Sequence, residues 1–98
     1  MIKDFGNKAA YDLFTNGQAK SLPRDFWKRT VFLLDLMEAV DSLEVLSSKG
    51  FPPNLRLHKL KGDRKGEYAI DINKISGWRI TFRFEKKEFC NVKVENYH

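Results

Sequence analysis

Apolar positions change period near the middle of this chain, dividing it into a helical half and an extended half. Residues 1–5 alternate weakly, with Ile2 and Phe5 as the apolar members, and suggest a short first strand. Asn7 then stands where an N-cap would stand, ahead of Ala10, Leu13 and Phe14 on one helical face. Asn16-Gly17 supplies a stop that tolerates left-handed backbone. A longer helix is predicted to start at Ser21 and Pro23, since proline loses nothing in a first turn whose N–H groups have no intrahelical partner. Phe26, Thr30, Leu33, Met37 and Val40 recur at three- or four-residue steps, widened by Leu34, Leu36 and Leu43. That stripe runs to about Leu46, where Ser47-Ser48-Lys49-Gly50 ends it. Asp41 and Glu44 would then lie in the last turns, against the helix dipole, as an exposed acidic end. Trp27, beside the stripe, is expected to be partly buried.

Beyond Phe51-Pro52-Pro53-Asn54, a connector that no regular element can include, the period becomes two. Residues 55–60 precede a basic, turn-rich loop, Lys61-Gly62-Asp63-Arg64-Lys65-Gly66. Three strands are predicted after it. Tyr68, Ile70 and Ile72 alternate with polar or small neighbours. Trp78, Ile80, Phe82 and Phe84 alternate with Arg79, Thr81 and Arg83. Cys90, Val92 and Val94 alternate with Asn91, Lys93 and Glu95. Hairpin loops at 73–77 and 85–88 connect them. The predicted fold is α+β: one domain over 1–98, with two N-terminal helices packed on one face of a twisted, mainly antiparallel sheet of three or four strands. The other face is expected to be solvated and to carry Arg79, Arg83 and Lys93. Trp78 and Cys90 fall on the apolar side, Cys90 buried and inert.

Charge sharpens this division. The first 50 residues carry 7 Lys+Arg against 7 Asp+Glu, and the remaining 48 carry 11 against 6, so the whole excess of +5 lies in the extended half. A solvated sheet face lined with arginine is a platform for a phosphate backbone, and the asymmetry points to a polyanion, nucleic acid first. The neutral half offers no His, no Cys and no glycine-rich phosphate loop. No apolar run approaches the roughly 20 residues needed to span a bilayer, and the N-terminus lacks the apolar core of a secretory signal. The single cysteine, Cys90, cannot form an internal disulfide. A cytoplasmic location, with no membrane partner, is the default expectation. No His/Cys/Asp/Glu cluster has metal-ligand spacing, and no cofactor is predicted.

Three stretches in the basic half carry a resemblance: Arg-Leu-His-Lys-Leu-Lys-Gly-Asp-Arg-Lys-Gly from Arg56, Trp-Arg-Ile-Thr-Phe-Arg-Phe from Trp78, and the closing Asn96-Tyr97-His98. In this order and spacing, with the opening Met-Ile-Lys-Asp-Phe, the chain resembles the HigB toxins of bacterial toxin–antitoxin systems, within the RelE-like superfamily of small ribonucleases. The resemblance covers essentially the whole chain. It implies a metal-independent endoribonuclease that cleaves messenger RNA in the ribosomal (30S) A site and halts translation. It also implies a helix-turn-helix, HigA-like antitoxin as partner, and operator DNA reached only through that complex. Its active-site positions fall on His58, Lys61, Arg79, Tyr97 and His98. The family's ending has an acidic residue, usually Asp, where this chain has Asn96, so the neighbouring Glu95 could modulate the site instead.

The residues make chemical sense of that implication. Cleaving RNA without a metal requires a base for the 2′-OH, an acid for the 5′-oxygen and positive charge on the phosphorane. General acid–base help comes best from a group titrating near neutrality, which histidine does unperturbed. The chain has two histidines, His58 and His98, and both lie in these motifs. His98 is assigned as acid and His58 as base or orienting group, with reversal, or a role for Tyr97 or Lys61, left open. Arg79 is the preferred phosphate clamp because its planar fork holds two oxygens, against the alternative of a cross-strand pair with Glu95 or Glu67. Arg64, Arg83 and Lys93 are further candidate phosphate contacts, and Lys59 and Lys65 peripheral charge. The competing reading is a non-catalytic basic module that grips RNA or DNA, or a corepressor acting through its partner.

Overall fold

In a computed structural model of the chain, which describes residues 1–46, 57–73 and 75–96, the first helix, α1, spans Lys8–Asn16. Asn7 caps it as predicted, its side-chain oxygen accepting from the Ala10 N–H, and Gly17 closes it at φ 77°. A 3₁₀ turn, Arg24–Phe26, leads into α2, Trp27–Ala39. The buried stripe of α2 is Thr30, Leu33, Leu34 and Met37. Trp27 is half-buried, as expected, and its indole N–H is shared between the carbonyls of Ala19 and Leu22.

The single long helix predicted to about Leu46 is instead broken. Val40 is extended (φ −115°, ψ 158°), its carbonyl takes the N-terminal ammonium of Met1, and a separate turn, α3, spans Leu43–Leu46. Ser42 Oγ accepts from the Glu44 N–H at 3.1 Å, capping the new start. The break removes the anomaly noted above. Asp41 lies outside either helix, and Glu44 sits in a first turn, where the dipole favours it.

The sheet has four strands in sequence order: β1 His58–Lys59, β2 Tyr68–Asn73, β3 Trp78–Glu85 and β4 Glu88–Asn96, each antiparallel to the next. The basic loop between β1 and β2 holds a second 3₁₀ turn, Gly62–Arg64. The weak first strand survives as an arm running parallel to the outer edge of β4, bridging Ile2 to Phe89 and Phe5 to Val92. Its backbone bonds reach Phe89 and Val92 (2.7–3.2 Å). Asn7 extends the cover, bonding the Val94 carbonyl at 3.0 Å and the Val94 N–H at 3.3 Å. An edge that would otherwise template aggregation is thereby closed.

Two irregularities reset the alternation. β4 bulges at Asn91 (φ 54°), whose N–H is taken by the Asp4 carboxylate at 2.6 Å. Phe89, Val92 and Val94 therefore share the core face, while Cys90 pairs with Arg83 on the other, half-buried and not within the core as predicted. β2 shifts register between Asp71 and Asn73, and the Ile72 carbonyl accepts from Arg29 Nε of α2 at 2.9 Å. On the core face, Phe82 stacks with Tyr68 (5.8 Å) and meets Phe89 edge-on (5.1 Å) under Leu13, Leu33, Leu34 and Met37. Trp78 packs against this core, as its alternation predicted.

Candidate functional site

The strand register assembles the candidate residues on the face turned away from the helices. His58, Ala69, Thr81 and Lys93 form one row across all four strands. Asp71, Arg79 and Glu95 form the next, across three. Arg83 and Cys90 lie beyond the first row on the other side. Side chains opposite one another in such a ladder share a face. His58 and Arg79 are thus two strands and one row apart, about 12 Å between Cα atoms at ordinary sheet spacing.

This face is not the open, solvated surface that simple alternation predicts. Ala69 and Thr81 have no exposed surface, and Glu67 and Asp71 retain 7% and 8%. Among the described residues, the group lying across Thr81 is Arg64. Its guanidinium grips Glu67 with two bonds, Nε to Oε2 at 3.0 Å and Nη2 to Oε1 at 2.8 Å. It also donates to Thr81 Oγ1 at 3.3 Å and pairs through Nη1 with Glu95 Oε1. The Thr81 hydroxyl in turn donates to that same oxygen of Glu95 at 3.0 Å. Lys93 Nζ approaches Glu67 at 4.0 Å.

The electrostatics follow from this contact set. The bonds from Arg64 hold the Glu67 carboxyl below the usual carboxylate range, with burial working against them. The same bonds push the Arg64 guanidinium further above its ordinary value. Burial raises the Cys90 thiol. Among the described residues no group of three or more His, Cys, Asp or Glu is arranged to hold a metal ion.

Of the predicted site residues, the structure brings His58, Arg79, Arg83, Lys93 and Glu95 to one face of the sheet. Lys61 is exposed at the head of the Gly62–Arg64 turn, between β1 and β2. Arg64, expected as a phosphate contact, directs its charge to Glu67 and Glu95 instead. The guanidinium of Arg83 lies over Gly66, where φ is 98° and a Cβ would come within 2.9 Å of Nη1. Glu95, expected to compensate for Asn96, is committed to Arg64 and Thr81, and Asn96 is exposed at the end of β4. Arg56, Tyr97 and His98 fall outside the described residues. Alternation puts Glu67 and Thr81 on this face but does not reveal that both are buried there and bonded by Arg64.

A family model for the "RelE-like toxin of type II toxin-antitoxin system HigB" matches residues 3–98. A curated relative, "Endoribonuclease HigB" of Proteus vulgaris, is 32% identical over 98 residues, the whole of both chains.

Proposed function

This chain belongs to the HigB family of RelE-like toxins of type II toxin–antitoxin systems, and from that premise we propose that it is an endoribonuclease that cuts messenger RNA in the ribosomal A site without a metal. One observation supports this reading above the others: the register that puts His58, Arg79 and Lys93 on one sheet face, beside the end of β4. Tyr97 and His98 follow Asn96 directly in the sequence. A base on the edge strand, a phosphate clamp on an inner strand and an acid from the chain terminus would bracket a scissile phosphodiester.

In this mechanism His58 takes the proton of the ribose 2′-OH as that oxygen attacks the adjacent phosphorus. Arg79 holds the non-bridging oxygens, where positive charge is worth most as the phosphorane forms. His98 donates a proton to the departing 5′-oxygen, leaving a 2′,3′-cyclic phosphate and a 5′-OH. Arg83, Lys93 and Lys61 hold the flanking backbone. With two histidines as its proposed acid–base groups, the site depends strongly on a positioned substrate, which is what a message threaded through a ribosome provides. A cognate antitoxin, expected to carry a helix-turn-helix domain, would restrain the activity and carry the pair to operator DNA.

Purified protein, stripped of metal with EDTA and desalted, is added to ribosomes programmed with a defined message, and the new RNA ends are mapped. Discrete A-site cuts bearing a 5′-OH and a cyclic phosphate are expected. His98→Gln and Arg79→Ala should each reduce the rate, by about 10²-fold or more for the acid. Intact message despite tight binding would sink the nuclease and favour a module that regulates by occupancy.

A further inference from the structure

We propose that Arg64 is a positioning residue of the cleavage site, which fastens the loop carrying Lys61 to the strand that leads into the C-terminal residues. The inference rests on the nuclease reading above and gives Arg64 a role other than phosphate contact.

One guanidinium joins two strands and the residue that leads into a third. Through Glu67 it holds the approach to β2, through Thr81 the middle of β3 and through Glu95 the end of β4. It reaches them from the 3₁₀ turn Gly62–Arg64, directly after Lys61. The same segment is fixed by its backbone, with Leu60 N–H to the Glu67 carbonyl at 2.9 Å and Glu67 N–H to the Arg64 carbonyl at 3.0 Å. Glu95 stands three residues before His98. The clasp thus ties together the two walls that the proposed chemistry must hold in register, one from β1 and its loop, the other from the end of β4.

Its chemistry suits holding better than substrate binding. The fork of arginine is satisfied here by two carboxylates and a hydroxyl, with Glu67 nearly buried and Thr81 wholly so. A phosphate recruiting Arg64 would strip the nearly buried Glu67 of both its short hydrogen bonds and leave it the Lys93 ammonium at 4.0 Å, which is costly. A lysine keeps the charge but donates from one point. It cannot grip Glu67 bidentately while reaching Glu95 and Thr81.

The test measures single-turnover cleavage on programmed ribosomes for the wild type, Arg64→Ala, Arg64→Lys, Glu95→Gln and the double variant Arg64→Ala/Glu95→Gln, with folding checked by circular dichroism and thermal melting. Loss of positioning should lower the maximal rate at saturating protein by about 10- to 100-fold in Arg64→Ala. The half-saturating concentration, its salt dependence and the shape of the pH–rate profile should stay put. Arg64→Lys should remain near Arg64→Ala, and the double variant should be no slower than its slower parent, because both single changes undo one device.

If Arg64 instead gripped phosphate, Arg64→Lys would recover most activity, and Arg64→Ala would weaken binding and reduce the salt slope by about one. Either result overturns the proposal, as does multiplication of the two single effects. Loss of a limb of the pH profile in Glu95→Gln would overturn it too, by making Glu95 an acid or base. Should Arg64→Ala not fold, Arg64→Lys and Glu95→Gln decide alone. A wild type that cuts no RNA brings down the nuclease reading and this inference together. A wild type that cuts, with Arg64→Lys equally active, brings down this inference only.

Discussion

Thr81 and Phe82 are neighbours on β3, both without exposed surface, and they are buried in opposite ways. Phe82 points to the helices and touches aromatic rings and aliphatic side chains. Thr81 points to the other face and touches Arg64 and Glu95. The first face is held by apolar area, which is non-directional and tolerates change of detail if volume is kept. The second is held by hydrogen bonds and charge pairs, each needing its partner in place. Charges taken out of water contribute little net stability when paired and cost heavily when one partner is lost. What they supply is a fixed geometry of charged groups, which suits a face proposed to handle a phosphodiester. Stability and function are thereby separated by a single residue step along one strand.

The contrast between the faces is sharpest at that step. Phe82→Ala should cost about 3–5 kcal/mol, the lost transfer of a ring plus an unfilled cavity beneath α2. Thr81→Val is nearly isosteric and leaves Arg64 and Glu95 in contact, so it should cost about 1 kcal/mol. Urea melts of the two variants measure both. If Thr81→Val matched Phe82→Ala, the polar network would be a second structural core and the division drawn here would be wrong. With total stability of a domain this size at roughly 5–10 kcal/mol, Phe82→Ala should also lower the yield of folded protein.

A smaller effect isolates the charge on the polar face. Because Arg64 holds Glu67 below the ordinary carboxylate range, the unfolded chain takes up that proton first as pH falls. The stability contributed by Glu67 is therefore fully present above an unfolded value of about 4.3 and disappears as pH drops through the lower folded value. Glu67→Gln should cost about 2 kcal/mol at neutral pH and flatten the acid limb of stability against pH. Melting temperatures from pH 7 to pH 2 for both proteins test it. Parallel acid limbs would show that Glu67 is not depressed.

The apolar face and the membership of the polar face were legible in the sequence, and the contacts made on the polar face were not, for physical reasons. The stripe of Thr30, Leu33 and Met37, the cap at Asn7 and the strands around Ile70, Ile80 and Val94 announce themselves through period and turn chemistry, which are local. The break at Val40 is met by a bond from Met1, 39 positions away. The bulge at Asn91 is set by Asp4, 87 positions away. Nor does alternation reveal which polar side chains meet. The pattern put Arg79, Lys93 and Glu95 in their phases, but it assigned no phase to His58 and could not show that Arg64 would leave its loop to lie over Thr81. The hairpin predicted at 85–88 is present, on turn residues that do not favour it. Lys86 and Lys87 both adopt positive φ (50° and 67°), where Asn-Gly would be expected, so the turn is imposed by the strands and not by its own residues.

The least disruptive probe of the two faces is the thiol of Cys90. Simple alternation puts it with Val92 and Val94 in the core, and the Asn91 bulge puts it opposite Arg83. The placements differ in how the thiol meets a reagent. In the core, a disulfide reagent such as DTNB would react only as molecules unfold, at a rate that climbs with urea and falls with any stabilising change. On the polar face, half-buried, the thiol is reached in the native state. Burial also raises its pKa, so less thiolate is present at pH 8 than in the unfolded chain. The expected result is a native rate several-fold below that in denaturant, first order in reagent and flat with urea up to the unfolding transition. It should rise as pH is taken above 8. A rate that tracks global unfolding would return Cys90 to the core, and with it would fall the bulge at Asn91 and the register beyond it that aligns Arg83 with Cys90 and Phe84 with Phe89.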